Sequence, residues 1–346
     1  MDEVTAFAPG RVNLIGDHTD HTDGWCLPMA LTMGVTVRGD RVGGAVALRS
    51  DAADGLALVP LDVTEPAELE PAWARYVAGV IAELCPSVGL RGEVTADLPA
   101  DAGLSSSAAL EVAVALALGA ADDDPVGLAR ICQRAEQRAS GVPCGILDQL
   151  SATSGVAGHA LLVDCAELTT TPIPVPDDLE IVVVHSGEHR TLAGSAYAER
   201  RRECEEAQAR IGPLRSATPA DVAALDDPVL RRRARHVVTE NRRVHVAVEA
   251  FRAGDVDALG ELLDDSHRSL RDDFECSTPR VDAAVERLRT TPGVHGVRMT
   301  GGGWGGCVVA VTEPGALDEG WRVEPGGAAW VSVREAGPSG PRTRPR

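Results

Sequence analysis

The chain has 346 residues, 44% of them hydrophobic and only 3% aromatic, so it buries a large core of Ala, Val and Leu and is neither a stapled mini-domain nor a disordered tail. Its 33 basic residues face 52 acidic ones for a formal charge of −19, and all 33 are arginine. The absence of lysine excludes a Walker A loop, a protein-kinase strand lysine and Schiff-base chemistry. The acid excess argues against a nucleic-acid surface. Any phosphate must therefore be held by arginine, backbone amides, helix ends or a metal. No apolar stretch is long enough to span a membrane, and the N-terminus lacks the basic, apolar, small-residue order of a signal peptide. Eight cysteines with no CxxC pairing read as free thiols of a cytoplasmic protein, with structural zinc a poor second.

In chain order, Val4–Ala8 reads as a strand ended by Pro9-Gly10, followed by a polar loop to Gly24. Short β-rich runs lie at Gly34–Arg38 and Ala45–Ser50. Pro71 to Leu84 repeats apolar residues with a 3.6 period and predicts a helix, and Gly92–Leu98 alternates as a half-buried strand. Helices are predicted at Ser105–Gly119 and Pro125–Ser140, a loop at Gly141–Leu150, and strands at His159–Cys165 and Leu179–His185. Residues 190 to 290 turn helical, with segments at Arg190–Ile211, Pro228–Ala253, Val256–Arg271 and Pro279–Thr290. Strands Val297–Thr300 and Cys307–Val311 flank the glycine run Gly301–Gly306, and Glu335 to Arg346 read as a disordered tail. The pattern is α+β.

Three loops carry the chemistry. In Asp101-Ala-Gly-Leu-Ser-Ser-Ser-Ala-Ala-Leu, small residues and hydroxyls sit at the mouth of an apolar helix, whose unpaired N–H groups and partial positive charge suit a phosphate. An ordinary serine N-cap is the alternative, although three serines exceed what a cap needs. Gly10-Arg-Val-Asn-Leu-Ile-Gly-Asp-His-Thr-Asp-His-Thr-Asp-Gly gathers carboxylates and imidazoles that suit a polyhydroxylated ligand; a metal site is the rival reading, which Arg11 disfavours. Met299-Thr-Gly-Gly-Gly-Trp-Gly-Gly-Cys implies close backbone approach to a ligand or an unusual turn, with a flexible hairpin as the bland alternative.

In this order and spacing the three loops resemble the motifs of the GHMP small-molecule kinases, and the first loop in the chain resembles the galactokinase signature. Cys144-Gly-Ile-Leu-Asp-Gln, Arg190–Arg201 and Val238-Thr-Glu-Asn extend the likeness. The resemblance implies an α+β, two-domain GHMP kinase fold, with an N-terminal domain like ribosomal protein S5 domain 2 over residues 1–177 and a ferredoxin-like C-terminal domain over 178–334. The active site would lie in the cleft between them. It implies ATP-dependent phosphorylation of the anomeric C1 hydroxyl of galactose, with ATP and Mg²⁺ as cofactors and a monomeric enzyme. Residue by residue, it implies Asp148 as catalytic aspartate and Arg11 as the arginine between that aspartate and the phosphates. Asp17, His18, Asp20, Gly145 and Tyr197 would bind the sugar. Gly103, Leu104, Ser105, Ser106, Ser107 and Ala108 would wrap the ATP phosphates, Trp73 would lie near the adenine, and Ser107 and Glu136 would hold Mg²⁺. Arg11 stands where some other members of the superfamily use lysine, so a lysine-free chain is compatible with the site.

Two departures stand out: Asp17 replaces the usual glutamate and His21-Thr22 the usual Tyr-Asn. A shorter carboxylate at position 17 predicts more room near the sugar's outer hydroxymethyl group. The alternatives at this point are an anomeric kinase of a C6- or C2-modified galactose or of L-arabinose, and a non-catalytic sugar- and ATP-sensing coregulator.

Overall fold

The computed structural model describes residues 2–99, 102–189 and 193–334. The first half runs β1 (Asp2–Ile15), β2 (Trp25–Arg41), β3 (Ala45–Ser50), β4 (Leu56–Pro60), α1 (Ala74–Leu84), β5 (Leu90–Ala96), α2 (Ser106–Ala117), α3 (Pro125–Ser140), α4 (Leu147–Ser154), β6 (His159–Asp164) and β7 (Thr169–Pro174). The second runs β8 (Glu180–His185), α5 (Ala193–Ile211), α6 (Pro219–Ala223), α7 (Pro228–Ala253), α8 (Val256–Asp272), α9 (Pro279–Arg289), β9 (Val294–Met299), β10 (Cys307–Thr312), β11 (Trp321–Val323) and β12 (Trp330–Arg334).

Two sheets organise these elements. The larger has the order β12-β1-β2-β5-β3-β4, with β6 joined to the start of β2 and β7 to β6; the smaller is β11-β8-β10-β9. Residues of β8 alternate between two cores: Ile181 and Val183 pack with Val244, Val248 and Phe251 of α7, whereas Val182 and Val184 pack with Leu230 and Val237 of the same helix, Cys204 of α5 and Leu288 of α9. Both faces of this strand are buried, which explains a continuous apolar run instead of polar alternation. A third core joins α1, α2 and α3 to the larger sheet. No helix among the described residues is long and apolar enough to cross a membrane.

Local chemistry sets most helix ends. Asp227 accepts from Val229 N and Leu230 N with Pro228 in the first turn, and α7 stops at Gly254 with φ 66°. Asp124 and Gly141 bracket α3 in the same way, and Thr278 with Pro279 opens α9. Such N-caps contribute about 1 kcal/mol each.

Several expectations are corrected. The first strand does not end at Pro9-Gly10 but continues to Ile15, because a register shift between Pro9 and Arg11 absorbs the missing proline N–H as a bulge. The run Gly34–Arg38 is the far end of the 17-residue β2. The predicted loop at Gly141–Leu150 is partly helix: α4 has no side-chain N-cap to announce it. Burial of Leu147 and Leu150 against Cys26, Ala129 and Leu161 holds it instead. Strand β12 does not stay with the second half; it pairs antiparallel with β1 from Glu3↔Arg334 to Phe7↔Trp330, closing the larger sheet. The tail at 335–346 lies outside the described residues. None of the eight cysteines, all described, is in a disulfide.

Candidate active site

The bulge at Pro9-Gly10 has a chemical consequence. It turns the Arg11 N–H onto the carbonyl of Leu104 at 3.0 Å and aims the guanidinium into a cleft of about 750 Å³. There Arg11 Nε and Nη2 each donate to the Asp148 carboxylate at 2.7 Å, and Nη1 donates to the Gly103 carbonyl at 2.8 Å. This is a bidentate fork, the geometry that lysine cannot supply. Asp148 stands in the first turn of α4 and also accepts from Ser105 Oγ at 2.6 Å.

That last bond removes the N-cap reading for Ser105. Ser105 takes the left-handed conformation, φ 60°, immediately before α2, and its side chain caps nothing. Its hydroxyl serves Asp148 instead of the helix, and a non-glycine residue held at positive φ is a feature of functional turns. Ser107 Oγ donates to Glu136 Oε1 at 2.9 Å, bringing the two predicted Mg²⁺ ligands together. Burial, then Asp148, pushes the Glu136 carboxyl up to about 7. Among the described residues no group of three or more His, Cys, Asp or Glu could hold a metal. One carboxylate and one hydroxyl still fit Mg²⁺, which keeps several waters and takes its remaining oxygens from substrate phosphates. Gly103, Leu104, Ser105, Ser106 and Ser107 line the cleft. Ala108 does not; it is buried in the first turn of α2. Trp73 is also outside the lining, its indole N–H donating to the Asp54 carbonyl at 3.1 Å, and the aromatic residue of α1 that faces the cleft is Tyr76.

On the sugar side, Asp17, His18, Asp20, Gly145 and Tyr197 all line the same cleft. His18, at φ 63°, stacks on Phe274 with ring centroids 4.4 Å apart and lies 5.5 Å from Tyr197. Burial, then His21, holds its imidazole well below the ordinary range, so it is neutral. Burial, then Asp148 and Asp17, pushes the Asp20 carboxyl up to about 6. Gly145 is glycine for a steric reason: a Cβ there would lie 1.7 Å from Asp20 Oδ2. Asp17 differs from expectation. Arg298 Nη2 donates to its Oδ2 and Gly301 N donates to Oδ1 at 3.2 Å, so both of its oxygens are engaged by protein.

Several groups that hold the loop were given no role from sequence, although Glu240 and Asn241 lie in the stretch Val238-Thr-Glu-Asn. Arg298, fully buried on β9, also donates to the Leu14 carbonyl at 2.9 Å. Glu240 accepts from Gly16 N at 2.9 Å and from Ser266 Oγ at 2.6 Å; burial works to raise its carboxyl, but Arg243, His236 and Arg298 carry it down to about 2. Asn241 accepts from Trp25 N at 2.9 Å, and His236 donates from Nε2 to the Asp17 carbonyl at 3.1 Å. A spacing of four places His236 and Glu240 on one helical face, and Asn241 is the residue that follows. A lone arginine within an apolar strand, next to a glycine run, was the available signal for Arg298. In that run Gly301, Gly303, Gly305 and Gly306 have φ of 80°, 91°, 117° and 86°, a turn reserved for glycine, and Gly301 and Gly302 reach the cleft. Of the two predicted reasons for the glycines, the unusual turn is what these φ values support.

Comparison with known proteins agrees with this arrangement. Residues 1–41 match the galactokinase galactose-binding signature, 75–156 the GHMP kinases N terminal domain and 247–322 the GHMP kinases C terminal family. The chain is 44% identical to the galactokinase of Homo sapiens over 338 residues, covering 92% of this chain and 86% of that protein. It is 41% identical to the galactokinase of Haemophilus influenzae (strain ATCC 51907 / DSM 11121 / KW20 / Rd) over 340 residues, covering 92% and 87%. The crystal structure of Lactococcus lactis galactokinase complexed with galactose superposes with a TM-score of 0.86 at 31% identity, covering 95% of each chain. Methanococcus jannaschii mevalonate kinase, TM-score 0.63 at 18% identity over 90% of each chain, shares the fold. A loop rich in carboxylates and imidazoles, a serine-rich turn and an arginine-clamped aspartate meet in one cleft of a two-domain α+β chain, which belongs to the galactokinase family of GHMP kinases.

Proposed function

We propose that the sugar lies against His18, Asp20, Gly145 and Tyr197, that the ATP phosphates lie against Gly103–Ser107, and that Asp148 faces the anomeric hydroxyl between them. The reaction is ATP-dependent phosphorylation of galactose to galactose 1-phosphate with release of ADP. The observation that carries the assignment is the Asp148 carboxylate, fixed by two guanidinium N–H groups and one serine hydroxyl where the two loops meet. A loose phosphoryl-transfer transition state asks for in-line positioning and charge stabilisation more than for prior deprotonation. Asp148 orients the C1 hydroxyl and takes its proton as the C1 oxygen bonds to the γ-phosphorus and the bond to ADP breaks. Arg11, with five N–H donors and three of them engaged on Asp148 and Gly103, has two left for the developing charge on the transferring group. Ser107 and Glu136 would hold Mg²⁺ together with the nucleotide, and the ion when bound would supply positive charge to offset that of the phosphates.

Asp17, with both oxygens engaged by Arg298 and Gly301, shapes the sugar pocket more than it binds the sugar, which supports tolerance toward galactose altered at C6. We assign residues 1–177 and 330–334 to one folding unit and 178–329 to the other, because β12 pairs with β1. The free-thiol reading of the cysteines and the charge of −19 support a cytoplasmic monomer that binds neither nucleic acid nor membrane. A coupled ADP-release panel over galactose, 2-deoxygalactose, galactosamine, N-acetylgalactosamine, fucose, arabinose and glucose tests the reading. Strong stimulation by galactose with activity on fucose supports it, and no stimulation by any sugar defeats it.

A further inference from the structure

The Glu136 carboxylate is held at both ends. Ser107 donates to Oε1 at 2.9 Å, and Gln149 Nε2 donates to Oε2 at 2.6 Å. Gln149 follows Asp148 directly in the first turn of α4 and is fully buried. Its amide nitrogen has a second hydrogen, and 3.5 Å away lies Oε2 of Glu111. Glu111 is unusual in its own right. It sits within the ten-residue stretch of α2 that is buried without interruption, is itself 0% exposed, and its Oε1 has no partner. The carbonyl oxygen of Gln149 has none either. The four side chains thus form a line, Glu111, Gln149, Glu136 and Ser107, whose three hydrogen bonds are all donated to carboxylate oxygens.

The direction of that line has a cause. Turned over, the Gln149 amide would present its carbonyl oxygen to two carboxylates and leave its N–H groups unmatched, a costly arrangement in a buried site. The Gln149 nitrogen faces Oε2 of both glutamates, so each side of the amide offers it an acceptor oxygen. Glu111, which neither loop motif nor the chemistry explains, is what makes the second side acidic.

We propose that Gln149 is a positioning residue that fixes the orientation of Glu136 for the divalent cation, and that buried Glu111 keeps the Gln149 amide turned the right way. This rests on the assignment of Ser107 and Glu136 as Mg²⁺ ligands. Groups that orient a metal ligand from behind typically change metal affinity by roughly 10- to 100-fold when removed. The same turn of α4 carries Asp148, so the catalytic aspartate and the metal-ligand support move as one rigid piece.

The test is an equilibrium titration of Mn²⁺ by electron paramagnetic resonance with ADP present and sugar absent, so that no turnover contributes. Gln149→Leu, close in volume and without donors, weakens Mn²⁺ by about tenfold or more, while galactose affinity measured calorimetrically stays within about twofold. Glu111→Leu shifts Mn²⁺ in the same direction, and Glu111→Gln, which keeps a carbonyl acceptor, restores most of the affinity. Gln149→Leu with Mn²⁺ affinity within twofold of wild type overturns the proposal, as does equal weakening of metal and sugar. Should Gln149→Leu not fold, the pair Glu111→Leu and Glu111→Gln decides, and identical Mn²⁺ affinities for the two overturn it. Ser107→Ala and Glu136→Gln are separate arms. If neither changes Mn²⁺ affinity the ligand assignment itself fails, an outcome distinct from a silent Gln149.

Discussion

The two loops that meet at Asp148 are built differently. The sugar-side loop, Gly16–Gly24, is anchored by groups that take no part in the reaction: Glu240 on Gly16 N, Asn241 on Trp25 N, His236 on the Asp17 carbonyl and Arg298 on the Asp17 carboxylate, all more than 200 residues away in sequence. The serine turn, Gly103–Ser107, is held mainly by the groups proposed to carry the reaction, with Arg11 on two of its carbonyls, Asp148 on Ser105 and Glu136 on Ser107. A scaffold that fixes one loop independently of the chemistry separates sugar selection from catalysis. A turn that shares its hydrogen bonds with the catalytic centre ties nucleotide placement to catalysis.

Breaking that distinction gives the largest effects. Asp148→Asn lowers kcat by roughly 10²–10⁴, and because asparagine still accepts from Ser105, the nucleotide Kd stays within about threefold by calorimetry. A near-native kcat would remove Asp148 from its role. On the other side, Arg298→Met leaves Asp17 buried without its cation and costs about 3–5 kcal/mol in denaturant unfolding. Asp17→Asn on that background recovers part of the loss. A loss below 1 kcal/mol would mean that the α7 contacts alone hold the loop.

Gly145→Ala sharpens the comparison at its steric centre. The added carbon displaces Asp20, and steady-state kinetics show a galactose KM raised by about 10- to 100-fold with the KM for ATP changed by less than about threefold. Equal changes in both would show that the two sides are not independent.

The Asp20 carboxyl, raised to about 6, gives a pH signature of the same separation. An ionised carboxylate accepts two sugar hydroxyls and a protonated one accepts less, so galactose KM climbs by up to about tenfold per pH unit below 6. Stability runs the other way. The folded state holds this proton more tightly than the unfolded chain does, so the contribution is complete below about pH 4 and is lost as pH rises through about 6. Asp20→Asn flattens both profiles, and an unchanged KM profile assigns the titration elsewhere. The smallest effect is at position 17, where Asp17→Glu changes the ranking of galactose against fucose by about two- to tenfold; an unchanged ranking confines Asp17 to anchoring.

Much of this was readable along the chain because it depends on neighbours. Asp227-Pro228 and Gly254 mark the ends of α7 through hydrogen bonds made within a few residues. The crowding of serines before an apolar helix, and of carboxylates and imidazoles between glycines, is likewise a local pattern, and it located Arg11, Asp20 and Ser105, whereas Asp148 came only from the likeness of Cys144-Gly-Ile-Leu-Asp-Gln to the galactokinase family. The absence of lysine was a fact of composition, and the Arg11 fork shows why this site does not need one. What remained hidden depends on contacts between distant segments. The sequence offers no local reason for α4 to be helical, for β12 to return to β1, or for Tyr76 to face the cleft in place of Trp73. Nor does it show that Asp17 is engaged by Arg298, because burial and the pairing of buried charge are set only when the two halves of the chain close on each other.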